Sequence, residues 1–352
     1  MPVYLDHNAT TLTTPEAESA AIEWLRTDLG NPSSVHRSGR GARAAIESAR
    51  RRVAASIGGK PNELIFTSGA TEAIHLAIAS IVSPGGHVVC SPVEHPAVYG
   101  ALEALGARVS QVPVDSLGRL NTEAFSDVVD DQTQLVVVMA AQNEIGNRYP
   151  VAEIANAVAP VPVFCDAVQL YGKAPLNVER LGCRAVAISG HKAGAPAGVG
   201  ALWLSRGTEP GPMLRGGPQE RGRRAGTENG LGIVAFGAAA SAIDERIQLI
   251  EALGEARDAL ETQLEQRLEG VTIHGERANR LANTLSFRIE GVPGDLVLQA
   301  LDLEGIEISS GSACSSGGVE PSHTLLAMGL SPEQAGGGLR VSLGPESRRR
   351  RG

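Results

Sequence analysis

Six short runs of β-branched and apolar residues lie between residues 64 and 188, each separated from the next by a stretch with helical spacing. They are Leu64-Ile65-Phe66-Thr67, His87-Val88-Val89-Cys90, Arg108-Val109-Ser110-Gln111-Val112, Leu135-Val136-Val137-Val138, Val161-Pro162-Val163-Phe164 and Ala185-Val186-Ala187-Ile188. Helix patterns fall at residues 70–82, 97–105, 121–129 and 151–158. Strands that are apolar throughout, rather than alternating with polar residues, are buried on both faces, and strands that alternate with helices pair in parallel. The pattern therefore predicts an α/β fold: a mostly parallel central sheet covered by helices. Ligands in such folds collect at the carboxyl ends of the strands. The residues just after each run become the first candidates for chemistry.

Two amphipathic helices are expected before the sheet, near residues 15–29 and 39–57, and a long helix pattern spans about 238–269. That helix would lead into a smaller α+β domain holding Leu285-Ser286-Phe287, Leu296-Val297-Leu298 and a Ser/Gly-rich loop around Cys314. The expected division is a large domain over residues 16–245 and a small one over 1–15 plus 246–352. A length of 352 residues suits two subdomains. A net charge of −8 argues against direct nucleic-acid binding, and the terminal run Arg348 to Arg351 reads as a solvated tail. No apolar stretch approaches the ~20 residues of a membrane span, and the first residues lack the features of a signal peptide. The expectation is a cytoplasmic protein. Four widely spaced cysteines without a CxxC pair suggest neither a metal site nor a disulfide framework. Cys90 and Cys165 end apolar runs and are expected in the core, whereas Cys314 sits among Ser309-Ser310-Gly311-Ser312-Ala313 and Ser315-Ser316-Gly317-Gly318, where nothing bulky would bury it.

Several strand ends carry reactive or ligand-binding residue types. After Ile188 comes Ser189-Gly190-His191-Lys192. A lysine in a tight turn after a strand can form a Schiff base with a carbonyl cofactor, or be an ordinary surface lysine. Asp166 follows the fifth run and could hold a proton on a pyridine nitrogen, or cap a helix; Gln169 lies three residues on. Thr67-Ser68-Gly69-Ala70-Thr71-Glu72 joins a strand to a helix, where free backbone N–H groups attract phosphate, although a capping box looks similar. Ser189 and His191 could add donors. His95 could stack on a ring and move protons, and Asn143 could hold a cofactor or substrate oxygen. The Gly39-Arg40-Gly41-Ala42 string mimics a dinucleotide fingerprint but has no strand before it.

Taken in chain order, these segments resemble the pyridoxal-phosphate-dependent cysteine desulfurases of the class V aminotransferase group, in the subgroup with a long cysteine loop. The resemblance also rests on Tyr4-Leu5-Asp6-His7-Asn8-Ala9-Thr10-Thr11, Gly30-Asn31-Pro32-Ser33-Ser34, Asn143-Glu144-Ile145-Gly146 and Arg224-Ala225-Gly226-Thr227. It implies fold type I of the pyridoxal-phosphate transferases, with pyridoxal 5'-phosphate as cofactor. By position, Lys192 would be the Schiff-base lysine, Asp166 the partner of the ring nitrogen and Gln169 a contact of the ring oxygen. His95 would stack over the ring. Ala70, Thr71, Ser189 and His191 would bind the phosphate, with Thr227 added from the second subunit of a homodimer. Asn143, Arg340 and Asn31 would hold the substrate carboxylate, a task suited to a guanidinium.

Cys314 would take sulfur from L-cysteine as a persulfide, leaving L-alanine, and pass it to an acceptor protein such as an iron–sulfur scaffold or a thiolation enzyme. The chain departs from the family at Ala193 to Gly198, at Glu228, and beyond Gly344, where a final helix is usual and Pro345-Glu346-Ser347 and the arginines stand instead. The rival readings are a selenocysteine lyase or other β-eliminating enzyme, an aminotransferase, and a catalytically weakened cofactor-binding assembly subunit.

Overall fold

The computed structural model describes residues 2–27, 30–211, 213–310 and 321–345. Cys314 lies outside the described residues, as does the tail from residue 346. In chain order the first half comprises β1 (Val3–Tyr4), α1 (Pro15–Arg26), α2 (Arg37–Ser56), β2 (Leu64–Thr67), α3 (Ala70–Ile81), β3 (His87–Cys90), α4 (Pro96–Ala104), β4 (Arg108–Gln111), α5 (Thr122–Val128), β5 (Thr133–Met139), α6 (Val151–Ala157), β6 (Val163–Asp166), β7 (Ala185–Ser189) and β8 (Gly200–Leu204). There follow α7 (Gly230–Ser241), α8 (Ile243–Glu251), α9 (Gly254–Arg267), β9 (Val271–His274), β10 (Thr284–Ile289), α10 (Gly294–Leu303), β11 (Ile306–Glu307), β12 (Ser309–Ser310), α11 (His323–Ala327), α12 (Pro332–Gly336) and β13 (Leu339–Ser342).

All six expected strands lie in one seven-stranded sheet of order β2-β8-β7-β6-β5-β3-β4. Successive side chains of a strand point to opposite faces, and the sheet is apolar on both except at its edge strand β4, which, unlike the expected fully buried run, is largely exposed because no strand covers its outer side. Val136, Val138, Cys165, Val186 and Ile188 pack with α2 and α7, while Leu135, Val137, Phe164, Ala185 and Ala187 pack with α3 and α4. The seventh strand, β8, follows the Gly/Pro-rich turn after Lys192 and pairs antiparallel with both β2 and β7. It is the one reversed strand, and sequence periodicity alone does not register it, because five residues emerging from a glycine-rich turn carry too little pattern. Cys90 and Cys165 are fully buried in strands, as expected.

The helix expected over 238–269 is instead three helices, α7, α8 and α9, broken at Ala242 and at Ala252–Leu253. The physical reason is a change of packing partner. Residues of α7 are buried against α1 and α2 of the large sheet layer, whereas Ile250 and Leu253 belong to a separate core with Leu285, Phe287, Leu339 and Val341. One straight helix could not face both. The helices expected over 15–29 and 39–57 run from Pro15 to Arg26 and from Arg37 to Ser56. That second core lies on an antiparallel sheet of order β12-β13-β10-β9.

The amino-terminal segment joins these layers. Val3 and Tyr4 pair with Ile306 and Glu307, and Asp6 bridges to Ser342. A few residues later Thr11 N–H donates to the carbonyl of His191 (2.9 Å). Residues 6–11 are thereby pinned between the small sheet and the turn that carries Lys192.

Candidate active site

Asp166 closes β6 and is almost wholly buried. One of its oxygens accepts from the backbone N–H of Val168 (3.0 Å). Burial pushes its pKa up, while His95, the Val168 N–H and Lys192 pull it down. Asp166, His95 and Lys192 thus act on one another electrostatically beyond the ends of β6, β3 and β7. His95 caps α4, with its Nδ1 accepting from Ala97 N–H (3.1 Å). That bond leaves the proton of the neutral ring on Nε2. Burial lowers the His95 pKa despite the nearby Asp166, so the ring is neutral at pH 7. Lys192 ends the turn after β7 and donates to the carbonyls of Asn8 and Ala9 (both 2.6 Å). Burial and the Arg340 guanidinium bring its amine down to about 8, against the opposing pull of Asp6 and Asp166.

The strand-to-turn segment after β2 forms a cradle beside this trio. The α3 N-terminus begins at Ala70, after Gly69, and a Cβ on Gly200 of β8 would lie 2.6 Å from the Gly69 carbonyl carbon. Gly200 thus lets the cradle sit directly on the sheet. Glu72 accepts from Ser68 N–H (2.7 Å) and is held by Arg224 at 2.8 and 3.2 Å. Arg50 grips Glu220 with two bonds of 2.6 Å, and the same carboxylate accepts from Phe66 N–H (3.0 Å). Together these pairs fasten the segment bearing Thr227 to β2, and Thr227 lines a cleft with Thr67 and Ser68 of its own chain.

Across from this trio, Arg340 of β13 donates to Asp6 Oδ1 (2.6 Å) and to the Asn143 carbonyl (3.1 Å), and among the described residues its Nε has no partner. Asn143 reaches the other residues through Asn8, whose Nδ2 donates to the Asn143 carbonyl (3.1 Å). Asn8 also accepts from Gln169 Nε2 through its own carbonyl (2.9 Å). The structure therefore brings together Lys192, Asp166, His95, Gln169, Asn143 and Arg340, with His191 attached through Thr10 (3.2 Å). Burial and the nearby Lys192 and Lys173 lower the His191 pKa to about 4. Asn31 is not joined to this network. It is exposed, and its Oδ1 accepts from Ser33 N–H within its own turn (2.9 Å).

Sequence reasoning gave no role to Asn8, Asp6, Lys173, Glu94 or Glu144. Asn8 and Asp6 stood inside a quoted motif, but their contacts reach residues more than a hundred positions away. Glu94 is fully buried, accepts from Ser91 Oγ (2.6 Å) and Met139 N–H (3.1 Å), and is pushed up to about 8 by burial. It ties the end of β3 to the end of β5 beside His95. Glu144 is raised to about 7 by burial and accepts from Ser322 and Thr324, which fixes the start of α11 against the Asn143 turn.

A family model described as Aminotransferase class-V matches residues 3–350. The chain belongs to this family. It is similar to cysteine desulfurase IscS of Dictyoglomus turgidum, at 42% identity over 97% of this chain and 89% of the relative. Cysteine desulfurase NifS of Azotobacter vinelandii is 39% identical, over 97% of this chain and 87% of the relative. Among solved structures, a NifS-like protein superposes with a TM-score of 0.91 at 34% identity, covering 98% of this chain and 94% of that one. A structure described as SspA in complex with cysteine reaches a TM-score of 0.85 at 29% identity, covering 97% and 99%. The class V chain described here thus has the fold type I architecture.

The class V cofactor, pyridoxal 5'-phosphate, fits the residues present. Ser189 Oγ is buried at the end of β7 with no hydrogen-bond partner among the described residues, a group that a phosphate oxygen would satisfy. A buried carboxylate, a lysine with a lowered pKa and a neutral histidine converge beside the cradle, which is the donor and acceptor set that a pyridine ring, an aldehyde and a phosphate require.

Proposed function

We propose that this protein is a pyridoxal-phosphate-dependent cysteine desulfurase that converts L-cysteine to L-alanine and carries the sulfur as a persulfide on Cys314. The observation that supports it most is the coupling of Lys192 to Asp166 at neighbouring strand ends, in a chain about 40% identical to enzymes named cysteine desulfurase. Bound there, pyridoxal phosphate supplies an electron-poor ring that accepts the electron pair released when a substrate loses its α-proton.

The chain's own residues prepare that event. Asp166 offers an anion to the ring nitrogen, and its depth in the sheet keeps water from competing. Lys192, with a pKa near 8, is partly unprotonated at neutral pH, so its Nζ can attack a carbonyl and later carry a proton. His95 holds its proton on Nε2, where it can be given or withdrawn near the ring. Ser189, His191, Thr71, Thr227 and the Ala70 end of α3 bind phosphate oxygens; Thr227 of a second subunit fills this role in a homodimer. Gln169 donates to the ring oxygen. Arg340, oriented by Asp6 and Asn143, has its Nε–H left for a carboxylate, with Asn143 completing that contact. Cys314, as a thiolate, attacks the substrate sulfur: one S–S bond forms, the C–S bond breaks, and the carbon fragment leaves as alanine after protonation. A free thiol has a pKa of about 8.5, so a fraction of Cys314 is already thiolate near neutral pH.

The sulfur then passes to a protein acceptor, either an iron–sulfur scaffold or a thiolating enzyme. Among the described residues no helix is long and apolar enough to cross a membrane. The test is product analysis. Purified protein loaded with cofactor and given L-cysteine with a thiol reductant should yield alanine and sulfide in equal amounts. Pyruvate with ammonia would instead support β-elimination, and 3-mercaptopyruvate would support transamination.

A further inference from the structure

Lys173 is only 1% exposed and takes no part in the chemistry above. It lies four residues after Gln169, in consecutive turns that bring the two side chains to the same side. Burial, with Lys192, Arg340 and Arg246 nearby, holds its amine well below the usual lysine range. Its Nζ donates to Asn8 Oδ1 at 2.7 Å and to Gln169 Oε1.

We propose that Lys173 and Asn8 are positioning residues that fix the direction of the Gln169 side-chain amide, so that it offers an N–H, and not its carbonyl oxygen, to the cofactor's ring oxygen. An amide can be reversed end for end with little change in shape, so its direction is set only by its partners. Here the partners form a chain with one solution. A backbone carbonyl can only accept, so the Asn143 carbonyl obliges Asn8 to turn its Nδ2 that way (3.1 Å). Asn8 Nδ2 also donates to Thr284 Oγ1 (3.0 Å). Asn8 Oδ1 must then face Lys173, where it also accepts from Asn283 Nδ2 (3.3 Å). Lys173 supplies an N–H to each of two oxygens, which even a neutral amine can do. Gln169 Oε1 is therefore occupied, and its Nε2 faces the Asn8 carbonyl (2.9 Å), a second group that can only accept. One Nε2–H remains. Reversing Gln169 would set acceptor against acceptor at the Asn8 carbonyl whatever the charge of Lys173, and donor against donor at a charged Lys173, in a buried place where such conflicts are costly.

This inference rests on the proposed contact between Gln169 and the ring oxygen. A donor there stabilises negative charge on that oxygen, and losing it raises the pH at which the visible absorption of the bound cofactor titrates. The experiment is a spectral pH titration of the cofactor-loaded protein for the natural sequence, Lys173→Met, Gln169→Leu and the double variant. Both single variants should raise the midpoint by about one pH unit, and the double should go no further than Gln169→Leu alone. Lys173→Arg keeps a head that only donates and should hold the midpoint near its natural value. A purely structural lysine would lower the melting temperature without moving the midpoint, and that result overturns the inference. A shift in Gln169→Leu with none in Lys173→Met does the same. An unmoved midpoint in Gln169→Leu overturns the underlying reading of Gln169 and the inference with it. If Lys173→Met does not fold, Asn8→Ala reads out the same midpoint: an upward shift supports the proposal, and no shift overturns it.

Discussion

The two walls of the site are built in opposite ways. One wall is the carboxyl rim of the central sheet, where Asp166 ends β6, Ser189 ends β7 with Lys192 in the turn just after it, and His95 follows β3. Each gains its place from a few adjacent residues. The other wall is the segment Asp6 to Thr11 with β13, where Asp6 meets Arg340 and Asn8 meets Asn143, Lys173, Thr284 and Ser342. Those contacts join distant parts of the chain and exist only once the two cores have docked. On the function proposed above the tasks separate: the rim wall would hold the groups that move protons and electrons, and the docked wall would orient them and receive the substrate carboxylate.

Breaking the rim wall should therefore abolish chemistry, whereas breaking the docked wall should weaken binding and alignment. Lys192→Ala should lower alanine production by at least ~10³-fold and remove the covalent link to the cofactor, read by steady-state assay and visible spectrum. Asp166→Asn, which keeps the shape and removes the anion, should cost on the order of 10²- to 10³-fold in kcat with the cofactor still bound. On the docked wall, Arg340→Lys should act mainly on KM, by roughly tenfold, because a lysine cannot keep Asp6, the Asn143 carbonyl and a carboxylate together. A loss in kcat as large as that of Asp166→Asn would erase the distinction between the walls.

The gentlest effect is on stability. Burial lowers His274 from 6.5 to about 4, with Arg288 adding to the shift. Between those values the folded chain binds fewer protons than the unfolded one. Its contribution is therefore complete above about pH 6.5 and is lost progressively as the pH falls towards 4. The melting temperature should decline through that window, and His274→Gln should flatten the decline.

The same contrast sets what could be read from the sequence. The strands of the large sheet were legible because burial on both faces demands unbroken apolar runs, and strand ends point to ligands. Asp166, His95 and Lys192 could be singled out on that basis. β8 was not legible, since its five residues leave a glycine-rich turn and owe their place to pairing with β2 and β7. Nor were the breaks at Ala242 and Ala252, because charges and apolar residues keep helical spacing across them while the packing partner changes. Asn8 and Lys173 carry no local signal: an asparagine near the amino terminus and a lysine in a turn are ordinary until the fold sets them side by side. Asn31 shows the reverse, a motif residue whose contacts within one chain stay local.

The most direct measurement of the central claim is the mass of the Cys314 peptide after a single turnover with L-cysteine and no reductant. One added sulfur atom on Cys314, ~32 Da, should appear in step with one alanine per site, and Cys314→Ser should keep the bound cofactor but lose both products. An unmodified Cys314 beside undiminished alanine formation, or full sulfide release by Cys314→Ser, would contradict that claim.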